Sequence, residues 1–122
     1  MKVIDKYFPS LSEEQKSQFL KLGVRFTKWN YQINLVSRKD IDHFFTRHVL
    51  HSLAISKAIN FADGTKVLDV GTGGGFPGIP LAVLFPKVNF LLVDSIGKKI
   101  RVVNEICKNI KLDNIQTIHS RV

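Results

Sequence analysis

The chain has 122 residues, of which 44% are hydrophobic and 23% charged, and this suits one modest globular domain and not two. Cys107 is the lone cysteine, which excludes a disulfide framework and a thiol metal cluster. No apolar run approaches bilayer-spanning length, and "MKVIDKYFPSLSEEQKSQF" lacks a signal-peptide core, so the chain is expected to be cytoplasmic.

The first half reads as helical. Ser12 and Gln15 make a capping box, with Glu13 and Glu14 in the first turn where acids suit the helix dipole. Phe19, Leu22, Phe26, Trp29 and Ile33 then follow at helical spacing and predict one buried face, with Trp29 in the core. After a turn at residues 37–40, Asp40 is expected to cap a second helix running to about Ile59. His43, His48 and His51 scatter around that helix and do not make a zinc site.

The pattern changes after "NFADGTK". Val67 to Val70 predicts a short buried strand, Ile79 to Phe85 a helix, and Val88 to Val93 a second strand. Lys98 to Leu112 predicts an amphipathic helix with Cys107 on its inner side, and Ile115 to His119 a third strand. Strand–helix–strand–helix–strand with apolar strands predicts half of a doubly wound parallel α/β sheet. The expected division is a helical region over 1–60 and a Rossmann-like unit over 61–122.

Between the first strand and its helix lies "VLDVGTGGGFPGIP". Gly73, Gly75 and Gly78 fit the dinucleotide spacing G-x-G-x-x-G, a weak match alone. The pattern Asp69-x-Gly71-x-Gly73-x-Gly75 is more telling. A carboxylate there repels a pyrophosphate and attracts a cationic cofactor, and S-adenosylmethionine carries both a sulfonium and an ammonium. Asp94 closes the second strand and can accept from both ribose hydroxyls of an adenosine ligand. Its competing role is to cap the helix before Lys98.

These segments resemble a family. "VLDVGTGGGFPGIPLA", "LLVDSIGKKIRVV" and the final "SRV", with "KWNYQINLVS" and "RHVLHSL" upstream, look like the bacterial 16S rRNA guanine-N7 methyltransferase family, also called glucose-inhibited division protein B. The resemblance implies a class I methyltransferase fold with S-adenosylmethionine as donor. It implies as acceptor the N7 of a guanine in the guanine-527 region of the 530 loop, in small-subunit rRNA or the 30S subunit. By position, Gly71 and Phe76 match family cofactor contacts, Asp94 the ribose acid, and Val122 the first residue of a pair lining the adenine site. The chain departs from the family at His51, where an acid is usual. The family continues for several strands past the point matching Val122, so the fold is expected as a first half only.

Guanine N7 has a lone pair and no proton, so no catalytic acid or base is expected. The eighteen Lys and Arg against ten Asp and Glu suit an RNA partner or simple solubility equally. Lys28, Arg38, Lys39, Arg47, Lys98, Lys99 and Arg101 are candidate phosphate contacts, and an aromatic or arginine plane could stack on the guanine. The alternatives are a class I methyltransferase with a protein or small-molecule acceptor, and a non-catalytic S-adenosylmethionine- or RNA-binding fragment. A dinucleotide dehydrogenase is disfavoured by Asp69. Without a fourth strand, residues 67–70 would be an apolar edge, so the chain is expected to self-associate or to belong to a longer molecule.

Overall fold

The computed structural model describes residues 1–121, the Arg38 side chain excepted; the expected adenine-site residue Val122 lies outside the described residues. A short helix, α1 (Lys2–Tyr7), buries Ile4 and was not legible in the periodicity. Helix α2 (Glu13–Gln32) begins at the expected capping box, with Ser12 accepting from the Gln15 amide and Gln15 accepting from the Ser12 amide. Phe19, Leu22 and Phe26 are fully buried along it, and Trp29 packs half-buried against the same core. Asn30 ends the helix: its Oδ1 accepts from the amides of Leu35 and Val36 at 2.8 and 3.0 Å.

The second helix departs from expectation. Ser37, not Asp40, caps α3 (Arg38–Ile41), and a π-helical stretch (Phe44–Leu50) follows before α4 (His51–Leu53) and α5 (Ile55–Ala58). The cause lies in the spacing of the apolar residues. Phe44 and Val49 are five apart and both buried, which a 3.6-residue turn cannot place on one face and a wider π turn can. Phe44 thereby reaches Phe26 at 4.9 Å and Phe76 at 5.6 Å between ring centroids.

Strands β1 (Lys66–Val70), β2 (Asn89–Asp94) and β3 (Ile115–His119) form a parallel sheet in the order β1-β2-β3. They are joined through α6 (Gly78–Leu84) and α7 (Gly97–Asn109). This is the expected half of a doubly wound sheet. The side chain of Asn114 ties the layers together, donating to the carbonyls of Ala82, Phe85 and Val88 at 2.9–3.1 Å. Helix α2 lies against both α6 and α7, so the helical half and the sheet share one core that runs from Ile4 and Phe19 to Val103 and Ile106. Cys107 is buried in it, and burial pushes its thiol up to about 12, so it behaves as a small core residue.

The sheet is open on its other face. Leu68 and Val70 are 59% and 52% exposed, and Ile118, two strands away in register with Val70, is 46% exposed. Strand β1 is an end strand of the sheet, as expected.

Candidate cofactor cleft at the strand ends

Parallel strands in open α/β sheets end where ligands bind, because the loops and helix starts that follow them converge there. Here the carboxyl ends of the three strands enclose a cleft of about 480 Å³. Val70 and Gly71 line it from β1, Val93, Asp94 and Ser95 from β2, and Ser120 and Arg121 from the residues after β3.

The glycine loop forms one wall. Gly71 and Gly73 have φ of +72° and +59°, and a Cβ on either would meet nothing within 4 Å. Glycine is needed at these two positions for the backbone conformation, which leaves the loop surface bare. Gly75 differs: a Cβ there would strike the side chain of Ile79 in α6. Its role is close packing of loop on helix.

The two aspartates have separate jobs. Asp94 is 8% exposed; its Oδ2 accepts from the Gly73 amide at 2.8 Å and its Oδ1 from the Ile96 amide at 2.9 Å. Burial raises its carboxyl pKa, and those two amides together with Lys99 more than reverse this, so the group sits below the ordinary range. It stays charged, and each oxygen keeps a lone pair for a further donor. Asp69 points into the loop. Its Oδ2 accepts from the Thr72 hydroxyl at 2.8 Å and the Gly78 amide at 3.1 Å. Burial raises this carboxyl, the two hydrogen bonds pull it part-way back, and the charge of Asp94 adds to the rise.

Of the residues expected from the sequence, Gly71 and Asp94 line the cleft, whereas Asp69, Gly73, Gly75 and Phe76 build the loop behind it. Phe76 packs inward, 5.3 Å from the Phe26 ring centroid and edge-on. The helix-cap role weighed for Asp94 is not taken up: Ile96 is the N-cap of α7 and no side chain caps that helix, the Asp94 bond to the Ile96 amide lying ahead of it. Sequence reasoning missed Ser120 and Arg121; the signal available was their place directly after the third strand.

The candidate phosphate contacts do not converge on one patch. Lys28 borders a groove between α1 and α2, whereas Lys98 and Arg101 border a small cleft beside Trp29. Arg47 is paired with Asp40 at 2.9 Å. Among the described residues no group of three His, Cys, Asp or Glu could hold a metal ion, and no helix is long and apolar enough to cross a membrane.

A family model described as "GidB: rRNA small subunit methyltransferase G" matches residues 15–122. The chain belongs to this family. Among relatives named "Ribosomal RNA small subunit methyltransferase G", it is 59% identical over 119 residues to that of Porphyromonas gingivalis, covering 98% of this chain and 54% of the relative. It is 58% identical over 121 residues to that of Cytophaga hutchinsonii, covering 99% and 58%. The chain thus spans little more than half the length of these family members. Among solved structures, coclaurine N-methyltransferase, bound to N-methylheliamine and SAH, matches with a TM-score of 0.56. At 18% identity over 60% of this chain and 22% of that one, this likeness concerns the fold: a partial class I methyltransferase, as expected.

Proposed function

We propose that the cleft binds S-adenosylmethionine and that the protein methylates N7 of a guanine in the 530 loop of small-subunit rRNA. The observation that carries the cofactor reading is Asp94. A buried, charged carboxylate closes β2, tied to the glycine loop and with lone pairs to spare, which suits two ribose hydroxyls. The residues fit this cofactor better than a dinucleotide, since a pyrophosphate laid along the loop would approach two carboxylates. Family membership supports the rRNA acceptor.

When bound, S-adenosylmethionine supplies an electrophilic methyl group. The chain's own residues bind and orient. Gly71 gives a bare backbone surface, Gly73 ties the loop to Asp94, Asp94 anchors the ribose, and Asp69 keeps the loop in shape through Thr72 and Gly78. Because N7 needs no deprotonation, holding the two reactants in line supplies most of the acceleration. We read residues 1–60 as a helical region packed on the cofactor-binding unit, residues 61–122. The open edge and face of β1 fit either self-association of this chain or cover by the further strands of a longer molecule.

Calorimetry with S-adenosylmethionine and with NAD tests the cofactor: heat with the first alone is expected, and heat with NAD alone overturns the reading. The acceptor is tested by methyl transfer to 30S subunits from cells lacking the modification. Label in protein but not in rRNA would rule out the rRNA acceptor.

A further inference from the structure

The glycine loop begins at the strand-end cleft and finishes at a second cavity, of about 280 Å³, against Phe76 and Pro77. The opposite wall is one face of the π-helical stretch and the helices after it, carrying Arg47, His48, His51 and Ile55. Three nitrogen-bearing side chains thus stand over an aromatic ring, and no acid lines the cavity. The ring of His48 packs 5.9 Å from that of Phe76, which fixes this wall to the loop.

Asp40 lies behind the wall. It accepts from Arg47 Nη1 at 2.9 Å, and the Nε2 of His48 lies 3.9 Å from its other oxygen. That nitrogen is buried and has no hydrogen-bond partner among the described residues. Asp40 therefore spends one donor of a guanidinium that has five and holds its planar fork at the cavity mouth. The charge, the fork and the neighbouring apolar surface of Phe76 and Ile55 match a phosphodiester with its sugar.

We propose that this cavity is a phosphodiester subsite for an RNA strand, in which Arg47 and His51 touch the phosphate and Asp40 is the positioning residue for Arg47. The inference rests on the rRNA reading for the source of the strand, and it adds where the strand is gripped. The two cavities lie at opposite ends of the same glycine loop, so a strand gripped here would continue along that loop towards the strand-end cleft.

The test uses fluorescence anisotropy of a fluorescein-labelled RNA hairpin carrying the 530-loop sequence, titrated at several KCl concentrations. For Arg47→Gln the slope of log affinity against log salt should become shallower by about 0.7–0.9, and Arg47→Lys should keep the wild-type slope. His51→Gln should weaken binding about two- to tenfold. Asp40→Asn releases Arg47 from its position and should weaken binding, whereas Asp113→Asn, which removes an exposed acid elsewhere, should tighten it slightly by charge alone. If Asp40 merely neutralises Arg47 without positioning it, Asp40→Asn tightens binding instead. Wild-type slope in Arg47→Gln, or equal effects of Asp40→Asn and Asp113→Asn, would overturn the subsite while leaving the rRNA reading standing. Displacement of RNA by inorganic phosphate beyond that by KCl of equal ionic strength would reassign the cavity to free phosphate. If the wild type binds no RNA, both inferences fail, and heat with S-adenosylmethionine would then show that only the acceptor side is lost.

Discussion

The amide of Gly73 donates to the carboxylate of Asp94 at 2.8 Å, so the glycine loop after β1 and the end of β2 form one hydrogen-bonded unit across the cleft. The bond is charge-assisted and part-buried, a setting in which a hydrogen bond is worth more than its usual net value. Asp94→Asn keeps one acceptor oxygen and turns the other position into a donor facing an N–H. We expect a loss of about 1–3 kcal/mol in stability, read from the urea midpoint. Affinity for S-adenosylmethionine should fall about tenfold or more, read by calorimetry. An unchanged midpoint would show that the bond is dispensable.

The same carboxylate sets an acid limit, and Asp69 opposes it. Asp94 lies below its ordinary value of 3.8 in the fold, so its contribution is present in full above that pH and is lost as pH falls through the depressed value. Asp69 lies above 3.8, so the stability its protonated form confers is present below that value and is lost as pH rises through the raised one. Urea midpoints measured between about pH 3 and 6 should show this as two opposite slopes. Asp94→Asn should flatten the lower part of the profile and Asp69→Asn the part just above 3.8. The idea fails if each variant's profile merely shifts in parallel with the wild type.

Gly75 and Ile79 give a packing test. The φ of Gly75 is +99°, and a Cβ would lie 2.8 Å from Ile79 Cγ1, with Cδ1 nearer still. Gly75→Ala should therefore cost about 2–4 kcal/mol, from backbone strain and overpacking together. Gly73→Ala, strained but in open space, should cost about 1–2 kcal/mol. Adding Ile79→Val removes Cδ1 and should recover part of the Gly75→Ala loss, though Ile79→Val alone destabilises by about 0.5–1.5 kcal/mol. Strict additivity of the two changes in a thermal melt would count against the contact.

What could be read from the sequence follows the range of the forces. The Ser12–Gln15 box is a four-residue device, and the strand–loop–strand order follows from short apolar runs separated by glycine, so both were legible. The break in the second helix was not, because Phe44 and Val49 satisfy a π turn only once Phe26 and Phe76 have come to meet Phe44. The aspartates divide the same way. That Asp69 and Asp94 belong to the loop region was legible, but that Asp69 faces Thr72 and Gly78 whereas Asp94 faces the cleft depends on backbone donors whose placement only the fold decides.

Asn114 went unseen for that reason. Its acceptors lie 26 to 32 residues earlier in the chain. One amide nitrogen, 8% exposed with its residue, serves the carbonyls at the end of α6 and before β2. Asn114→Ala strips those carbonyls of a donor that water cannot replace without opening the core. The expected loss is about 2–3 kcal/mol, and Asn114→Asp should be at least as costly, since a carboxylate would face three carbonyl oxygens. A midpoint within error of the wild type in guanidinium would show that water reaches the site.

The outer edge of β1 makes the last test. Leu68 and Val70 are more than half exposed on the open face, and among the described residues β1 has a neighbouring strand on one side only. Unpaired backbone groups beside exposed apolar side chains are a template for a further strand. Light scattering should therefore give a mass above 13.8 kDa that rises with concentration, and Leu68→Lys with Val70→Lys should restore the monomer by placing charge on that face. Leu20→Lys with Val24→Lys is the control, since these exposed apolar residues sit on α2, away from the sheet edge. If the α2 pair dissociates the assembly and the β1 pair leaves it intact, association runs through the helical region. A concentration-independent monomer rules out self-association through either surface.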